Sequence, residues 1–260
     1  MKKFITLFSI FLLSISTACA DDMRFIQVTD TFFSKSNPKS VKTLETLVQN
    51  INTTKNVSFV VFTGNNITKP NQNDLNEFLK IAKELKMPYY LAIGNKDVNR
   101  SKGLSKKDYT KIVNKNNKYQ RKFTEPNYLF TKNNYVFIIV DGSKDIIPSS
   151  NGYYRTTTLN WLDKQLKKHN DKKVVIFQHF PIIPPTKDEL KYTQKPEEYL
   201  TLLEEHGNIE AIIAGHFGVN SEKEINGILH ITTAPAPQYR VIDIIDYNTD
   251  NPTFWSTLKR

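Results

Sequence analysis

Five short polar clusters in this 260-residue chain each follow a run of apolar, largely β-branched residues. They are Thr29-Asp30, Gly64-Asn65, Gly94-Asn95, Gln178-His179 and Gly215-His216. Their carboxylate, amide oxygens and imidazole nitrogens are the donor types that hold one divalent cation such as zinc, manganese or iron. Lys96, next to Asn95, adds a point charge suited to a phosphate group. Taken singly, each residue has a plainer use. Asp30 can cap a helix or close a turn, and Asn95 is a common turn residue. His179, before Phe180-Pro181, and His216, between Gly215 and Phe217, can be hydrogen-bonded turn histidines. The ordered set is what points to a site. His169, His206 and His230 have no motif around them and are assigned to surface or structure.

Elements of two kinds must position these clusters. Phe25–Val28, Ser58–Phe62, Tyr89–Ile93, Tyr135–Val140, Val174–Phe177 and Ala211–Ala214 are short apolar runs that read as strands. Between them, Val41–Ile51, Leu75–Leu85, Leu159–Lys168 and a stretch near Pro196–His206 carry apolar residues at helical spacing. The tail, with Ile228–Thr232, Tyr239–Ile245 and Thr253–Thr257, is a strand-rich finish. Alternation of this kind predicts one α/β domain, a layered sandwich with helices outside. In open α/β sheets ligands bind at the carboxyl ends of strands, where the five clusters fall. Residues 100–125 are polar and lysine-rich and read as a solvated helical insertion, an excursion more than a core layer.

The order of the motifs resembles the calcineurin-like metallophosphoesterases. That family's pattern runs D-x-H, G-D, G-N-H-D/E, H-x-P and G-H-x-H. Here it meets Asp30, Gly64-Asn65, Gly94-Asn95-Lys96-Asp97, His179-Phe180-Pro181 and Gly215-His216-Phe217-Gly218. Val140-Asp141-Gly142-Ser143 and Leu159-Asn160-Trp161-Leu162 also look like family elements, and the likeness spans roughly residues 24–245. The resemblance implies a four-layer α/β/β/α sandwich, two mixed β-sheets between helices, with a two-metal site at one edge that hydrolyses phosphodiesters or phosphomonoesters.

Four positions depart from that pattern. The histidine of D-x-H is replaced by Phe32, the bridging carboxylate by Asn65, the acid histidine by Lys96, and the last histidine by Gly218. A two-metal hydrolase holds its cations about 3.5–4 Å apart around a shared hydroxide, and a bridging carboxylate offsets their repulsion. An amide brings no charge. The resemblance then leaves Asp30 as a weak ligand of the first metal, and Asn95, His179, His216 and the Asn65 carbonyl for the second. That mostly neutral set implies one divalent ion (zinc, manganese or iron) or none. Lys96 occupies the acid's place, in contact with substrate beside Asn95. A lysine ammonium is a poor proton donor at neutral pH, but it is a fixed cation that needs no ligands.

Composition narrows the field. With 39% hydrophobic and 12% aromatic residues the chain has the apolar mass for a core, and disordered, collagen-like and disulfide-stapled classes are excluded. Residues 1–20 read as an export signal: Lys2 and Lys3, an apolar block from Phe4 to Ile15, then Ala18-Cys19-Ala20. Cleavage after Ala20 removes Cys19, the single cysteine, and with it all thiol chemistry. Lipidation at Cys19 is the alternative. The expected location is therefore periplasmic or secreted, with membrane contact only through the signal or a lipid anchor. The formal net charge is +10, and removing Lys2 and Lys3 leaves +8 for residues 21–260. Such a surface attracts anions. The expected partner is a phosphorylated small molecule or other anion, with no clear nucleic-acid platform. No G-x-S-x-G elbow or G-x-x-x-x-G-K-[ST] loop is present. Three functions follow: a phosphoester-binding family member with weak or no hydrolysis, an active one-metal phosphodiesterase or phosphatase, or a non-catalytic basic envelope protein.

Overall fold

Alternation along the strands decides how many layers the molecule needs. In β5 (Tyr135–Val140), Tyr135, Phe137 and Ile139 pack into one core, and Val136, Ile138 and Val140 into another. In β2 (Val57–Thr63), Phe59 and Val61 share the first of those cores, while Val60 and Phe62 turn to a third. A strand buried on both faces requires a covering layer on each. The computed structural model, which describes residues 23–116, 125–245 and 253–259, supplies them.

One five-stranded sheet has the order β11 (Thr253–Lys259), β10 (Tyr239–Ile245), β1 (Met23–Val28), β2, β3 (Tyr89–Ala92). The other has six strands, in the order β4 (Tyr128–Lys132), β5, β6 (Lys173–Gln178), β7 (Ile209–Ala214), β9 (Ile228–Thr232), β8 (Ser221–Ile225). Both are mixed: β1, β2 and β3 run parallel, as do β5, β6, β7 and β9, and the remaining pairings are antiparallel. Helices α1 (Pro38–Thr53), α2 (Gln72–Ala82) and α3 (Lys106–Asn116) share the core outside the first sheet. Helices α4 (Thr156–Lys168) and α5 (Glu197–Glu204) cover the second. Between the sheets lies an aromatic core. Phe25 stacks on Phe59 at 5.0 Å between centroids, and Phe137 meets Phe59 edge-on at 4.8 Å. The result is the α/β/β/α sandwich.

Local chemistry starts the helices where the sequence turns polar. Asn37 accepts from the Lys39 N–H with Pro38 opening α1, and Asn71 accepts from the Asp74 N–H at 2.7 Å to open α2. Two strands escaped the sequence reading. In β8, Glu222-Lys223-Glu224 hides any apolar alternation because the strand is an edge. The other, β4, is the opposite edge of the same sheet.

The lysine-rich stretch needs a correction. Residues 117–124 lie outside the described residues, as do residues 1–20, where the export signal was read. Within the rest, α3 is not an excursion. Its Tyr109 and Val113 are buried in the same core as α1 and α2. The lysines mask a narrow apolar stripe on one face. We expect Val113→Ala to lower the unfolding free energy by about 1–3 kcal/mol. Lys111→Ala, on the exposed face of the same helix, should stay within about 0.5 kcal/mol of wild type. Urea midpoints of the two variants check this, and equal midpoints would return α3 to the status of a solvated appendage.

Candidate functional site

The parallel strands of both sheets end at one edge, and all five polar clusters meet there. Asp30 follows β1, Asn65 follows β2, Asn95 follows β3, His179 follows β6 and His216 follows β7. Glycines make the approach close enough. A Cβ on Gly215 would stand 1.9 Å from Thr29 Oγ1, and one on Gly94 would stand 2.2 Å from the Asn65 nitrogen. The backbone is also bent into the left-handed region at Asp30 (φ 52°), Phe32 (44°), Asn65 (52°) and His216 (71°). Half of the non-glycine residues with positive φ among those described belong to this one edge. Such strain gathers where the surrounding structure over-determines a loop.

Hydrogen bonds join the clusters, both within the first sheet and across to the second. The His216 N–H and the Thr29 hydroxyl each donate to Asp30 Oδ2 at 2.9 Å, and Asn65 Nδ2 donates to Asp30 Oδ1 at 2.9 Å. The Lys96 N–H donates to Asn65 Oδ1, also at 2.9 Å. That pairing fixes the Asn65 amide: its oxygen must face the N–H, so its nitrogen faces the carboxylate. The Asp30 carboxylate and the Asn65 carbonyl, read from the sequence as metal donors, thus both have partners within the protein. Burial pushes the Asp30 carboxyl upward from its ordinary pKa, against the donors from His216, Asn65 and Thr29 that hold it down.

The histidines are arranged differently. His179 Nδ1 lies 2.8 Å from the Thr63 carbonyl, which can only accept, so Nδ1 carries the proton. Its Nε2 is therefore a bare lone pair, and it faces Asn95 Oδ1 at 3.2 Å. Two acceptors this close need a cation between them or a turned Asn95 amide. His216 stands beside them, 4.9 Å from His179 between ring centroids, and its buried Nε2 has no hydrogen-bond partner. Burial lowers the His179 pKa to about 4. Burial, then the His179 charge, lowers His216 to about 3. Both are neutral at pH 7, the form that binds a metal. Among the described residues no group of three or more His, Cys, Asp or Glu is placed to hold a metal ion. The fitting set is two imidazoles and one amide, His179, His216 and Asn95. An orphaned buried nitrogen beside a facing pair of acceptors suits one divalent cation.

The substituted positions are equally specific. Phe32 places its ring 5.9 Å from Lys96 Nζ, within cation–π range. Gly218, at φ 78°, has nothing within 4 Å of where a Cβ would be. Lys96 and Asn95 line a cleft of about 410 Å³ with Lys69, Lys102, Thr68, Ser149 and Ser150. Lys69 and Lys102 carry no local motif and were missed in the sequence. Also missed was the support beneath the site. Asp97 accepts from the Gly94 and Ile67 N–H groups at 2.8 and 3.0 Å, and Asn66 Nδ2 donates to Tyr109 Oη at 2.9 Å. Asp97 was visible in Gly94-Asn95-Lys96-Asp97. Tyr109 was hidden inside the lysine-rich helix. Elsewhere His206 pairs with Asp163 at 2.9 Å, a structural role.

The family model of the calcineurin-like phosphoesterases matches residues 23–220. The chain belongs to that family. Its members are typically divalent-metal dependent. A probable glycerophosphodiester phosphodiesterase, GpdQ, from Arcobacter nitrofigilis is 26% identical over 240 residues, covering 84% of this chain and 80% of the relative. A crystal structure of a dimetal phosphatase from Danio rerio superposes with a TM-score of 0.65 at 16% identity, covering 90% of this chain and 98% of that one. The purple acid phosphatase PPD1 of yellow lupin does so at 0.59 and 12%, covering 92% of this chain and 54% of that one. At such identities these likenesses establish the fold.

The buried histidines give a pH signature. In the unfolded chain each takes up a proton near pH 6.5. In the folded chain His179 resists until about 4 and His216 until about 3. Between those values the unfolded state binds more protons, so stability falls as pH falls, by at most about 1.4 kcal/mol per pH unit for each histidine. The buried Asp30 and Asp97, whose pKa values are raised, act in the opposite sense. The test is therefore differential. His179→Gln combined with His216→Gln should lose less stability than wild type between pH 6.5 and 4 in denaturant titrations.

Proposed function

We propose that this phosphoesterase-family protein is exported and binds a phosphoester or phosphate ligand in the Lys96 cleft, with weak or no hydrolysis. The observation that carries this reading is the lining of the cleft. Lys69, Lys96 and Lys102 surround it and no carboxylate does. Charge of one sign gathered around a concave surface concentrates an anion more strongly than the same lysines spread over a flat one. Asn95 and Asn99 line the same cleft, and their amides offer donors to phosphoryl oxygens.

Hydrolysis is the weaker expectation because the groups that would drive it are otherwise engaged or replaced. Asp30 and Asn65 hydrogen-bond to each other, and Phe32 and Gly218 bring no ligand. No carboxylate is left to hold two cations together. Held by His179, His216 and Asn95, a single divalent ion would polarise a phosphoryl oxygen as a Lewis acid. The chain's own residues bind and orient. Lys96 neutralises the phosphate, and the Thr63 carbonyl fixes the His179 tautomer. Export rests on the sequence of residues 1–20.

An active one-metal phosphodiesterase or phosphatase is the second reading, and the facing His179 Nε2 and Asn95 Oδ1 favour it. Calorimetric titration with inorganic phosphate and with glycerol 3-phosphate separates the two. We expect Lys96→Ala to weaken binding about tenfold, the size of one charge-assisted contact. His179→Ala should leave that binding nearly unchanged. Unaltered affinity in Lys96→Ala would end the binding reading. Turnover of bis-p-nitrophenyl phosphate with added Mn²⁺, abolished by His179→Ala, would establish the second.

A further inference from the structure

Four large apolar side chains stand in solvent among the described residues: Ile146 (58% exposed), Ile147 (78%), Leu190 (76%) and Trp255 (61%). Trp255 lies on the edge strand β11. The other three belong to a loop, at Ile146 and Ile147, and to a single 3-10 turn, Glu189–Lys191, in the connection bound to it. Ser150 Oγ donates to the Leu190 carbonyl at 2.9 Å, and Asn151 Nδ2 donates to the Glu189 and Tyr192 carbonyls at 3.3 and 3.0 Å. Isolated surface apolar residues need no explanation, but three gathered on adjoining loops do.

Their setting is cationic. Ile146 and Ile147 line a groove of about 660 Å³ with Lys144, Tyr153, Arg155, Gln194 and Lys195, and no carboxylate lines it. Lys144 lies 5.4 Å from the Tyr153 ring and donates to the Gln194 side chain, so no acid neutralises it there. The acids nearby include Asp145, beside Ile146 but buried and paired with Arg100 at 3.6 Å, and Asp188 and Glu189, beside Leu190, where Asp188 is held by Lys191 at 3.1 Å. Among the described residues no helix is long and apolar enough to cross a membrane. Apolar tips within a basic collar are what an interfacial contact uses. The tips enter the acyl boundary, and the cations rest among anionic headgroups.

We propose that the Ile146–Ile147 loop and Leu190 form a docking surface for an anionic phospholipid bilayer. Charge complementarity commits the patch to this occupant. A protein partner would need about 800 Å² of shaped surface on each side, far more than three side chains provide. The same strip continues through Pro148, Ser149 and Ser150 into the wall of the Lys96 cleft, so docking sets that cleft at headgroup level. The proposal does not rest on the cleft's ligand, and Lys96→Ala is expected to leave docking intact.

Tryptophan emission from an Ile147→Trp variant of the full chain tests it, read as a difference from the unsubstituted chain, which carries Trp161 and Trp255. Because the probe reports its own depth, apolar residues elsewhere do not confuse the reading. With vesicles of phosphatidylglycerol and phosphatidylcholine in equal parts, we expect a blue shift and quenching by brominated lipid. Partition should weaken at least fivefold with pure phosphatidylcholine, and again when Lys144→Glu and Lys195→Glu are added. Absence of a shift on the anionic vesicles overturns the proposal, as does equal partition onto neutral ones. A shift that grows with protein concentration and needs no vesicles overturns it in favour of self-association.

Discussion

Two contacts bridge the sheets at their carboxyl edge, and the site depends on them. The His179 imidazole, after β6, reaches the Thr63 carbonyl at the end of β2. The His216 backbone N–H, after β7, reaches the Asp30 carboxylate after β1. Elsewhere the sheets touch chiefly through apolar side chains, which have no direction. At this edge the contact is directional, and it sets one sheet's loops in register with the other's. Beneath it, Gln27 Nε2 donates to Thr63 Oγ1 at 2.7 Å and to the Ala214 carbonyl at 3.2 Å, repeating the link one layer deeper. In a dry environment each such bond is costly to leave unmade, so the junction resists sliding.

Much of this arrangement was legible in the residues. Strands such as Tyr135–Val140 and Val174–Phe177 announce themselves because both faces are buried and every position is apolar or β-branched. The five strand-end clusters were recognisable because their order follows strand order, and strand ends converge by topology. Partner choice was not legible. That the Asn65 carbonyl turns to the Lys96 N–H follows from loop geometry, which no residue pattern records. Tyr109 under the site and the lysines at 69 and 102 escaped for a related reason. Their contribution comes from folding distant segments together, and their neighbours in sequence are unremarkable polar residues. The edge strand β8 was missed because an edge is selected for charge, which erases the alternation that identifies a strand.

The polarity of the site is divided in space. Around His179, His216 and Asn95 the groups are neutral acceptors, suited to a cation. The cleft that Asn95 also lines carries the ammonium groups of Lys69, Lys96 and Lys102, suited to an anion. The carboxylate that would mediate between these regions, Asp30, is turned inward to three donors. On the proposed function, attraction for a phosphate is thereby separated from the means of breaking its ester bond. Binding needs only complementary charge, whereas hydrolysis needs several groups aligned on one phosphorus atom.

Phe32 illustrates a wider consequence. A bulky side chain at a φ of 44° is unfavourable by itself, and it lies where the family's motif has its ligand. Main-chain shape and side-chain chemistry are separable inheritances. Strand ends and glycine packing dictate the first, and single residues the second. Superposition on a working enzyme measures the former, so two chains can share every loop contour while differing in what their loops can do.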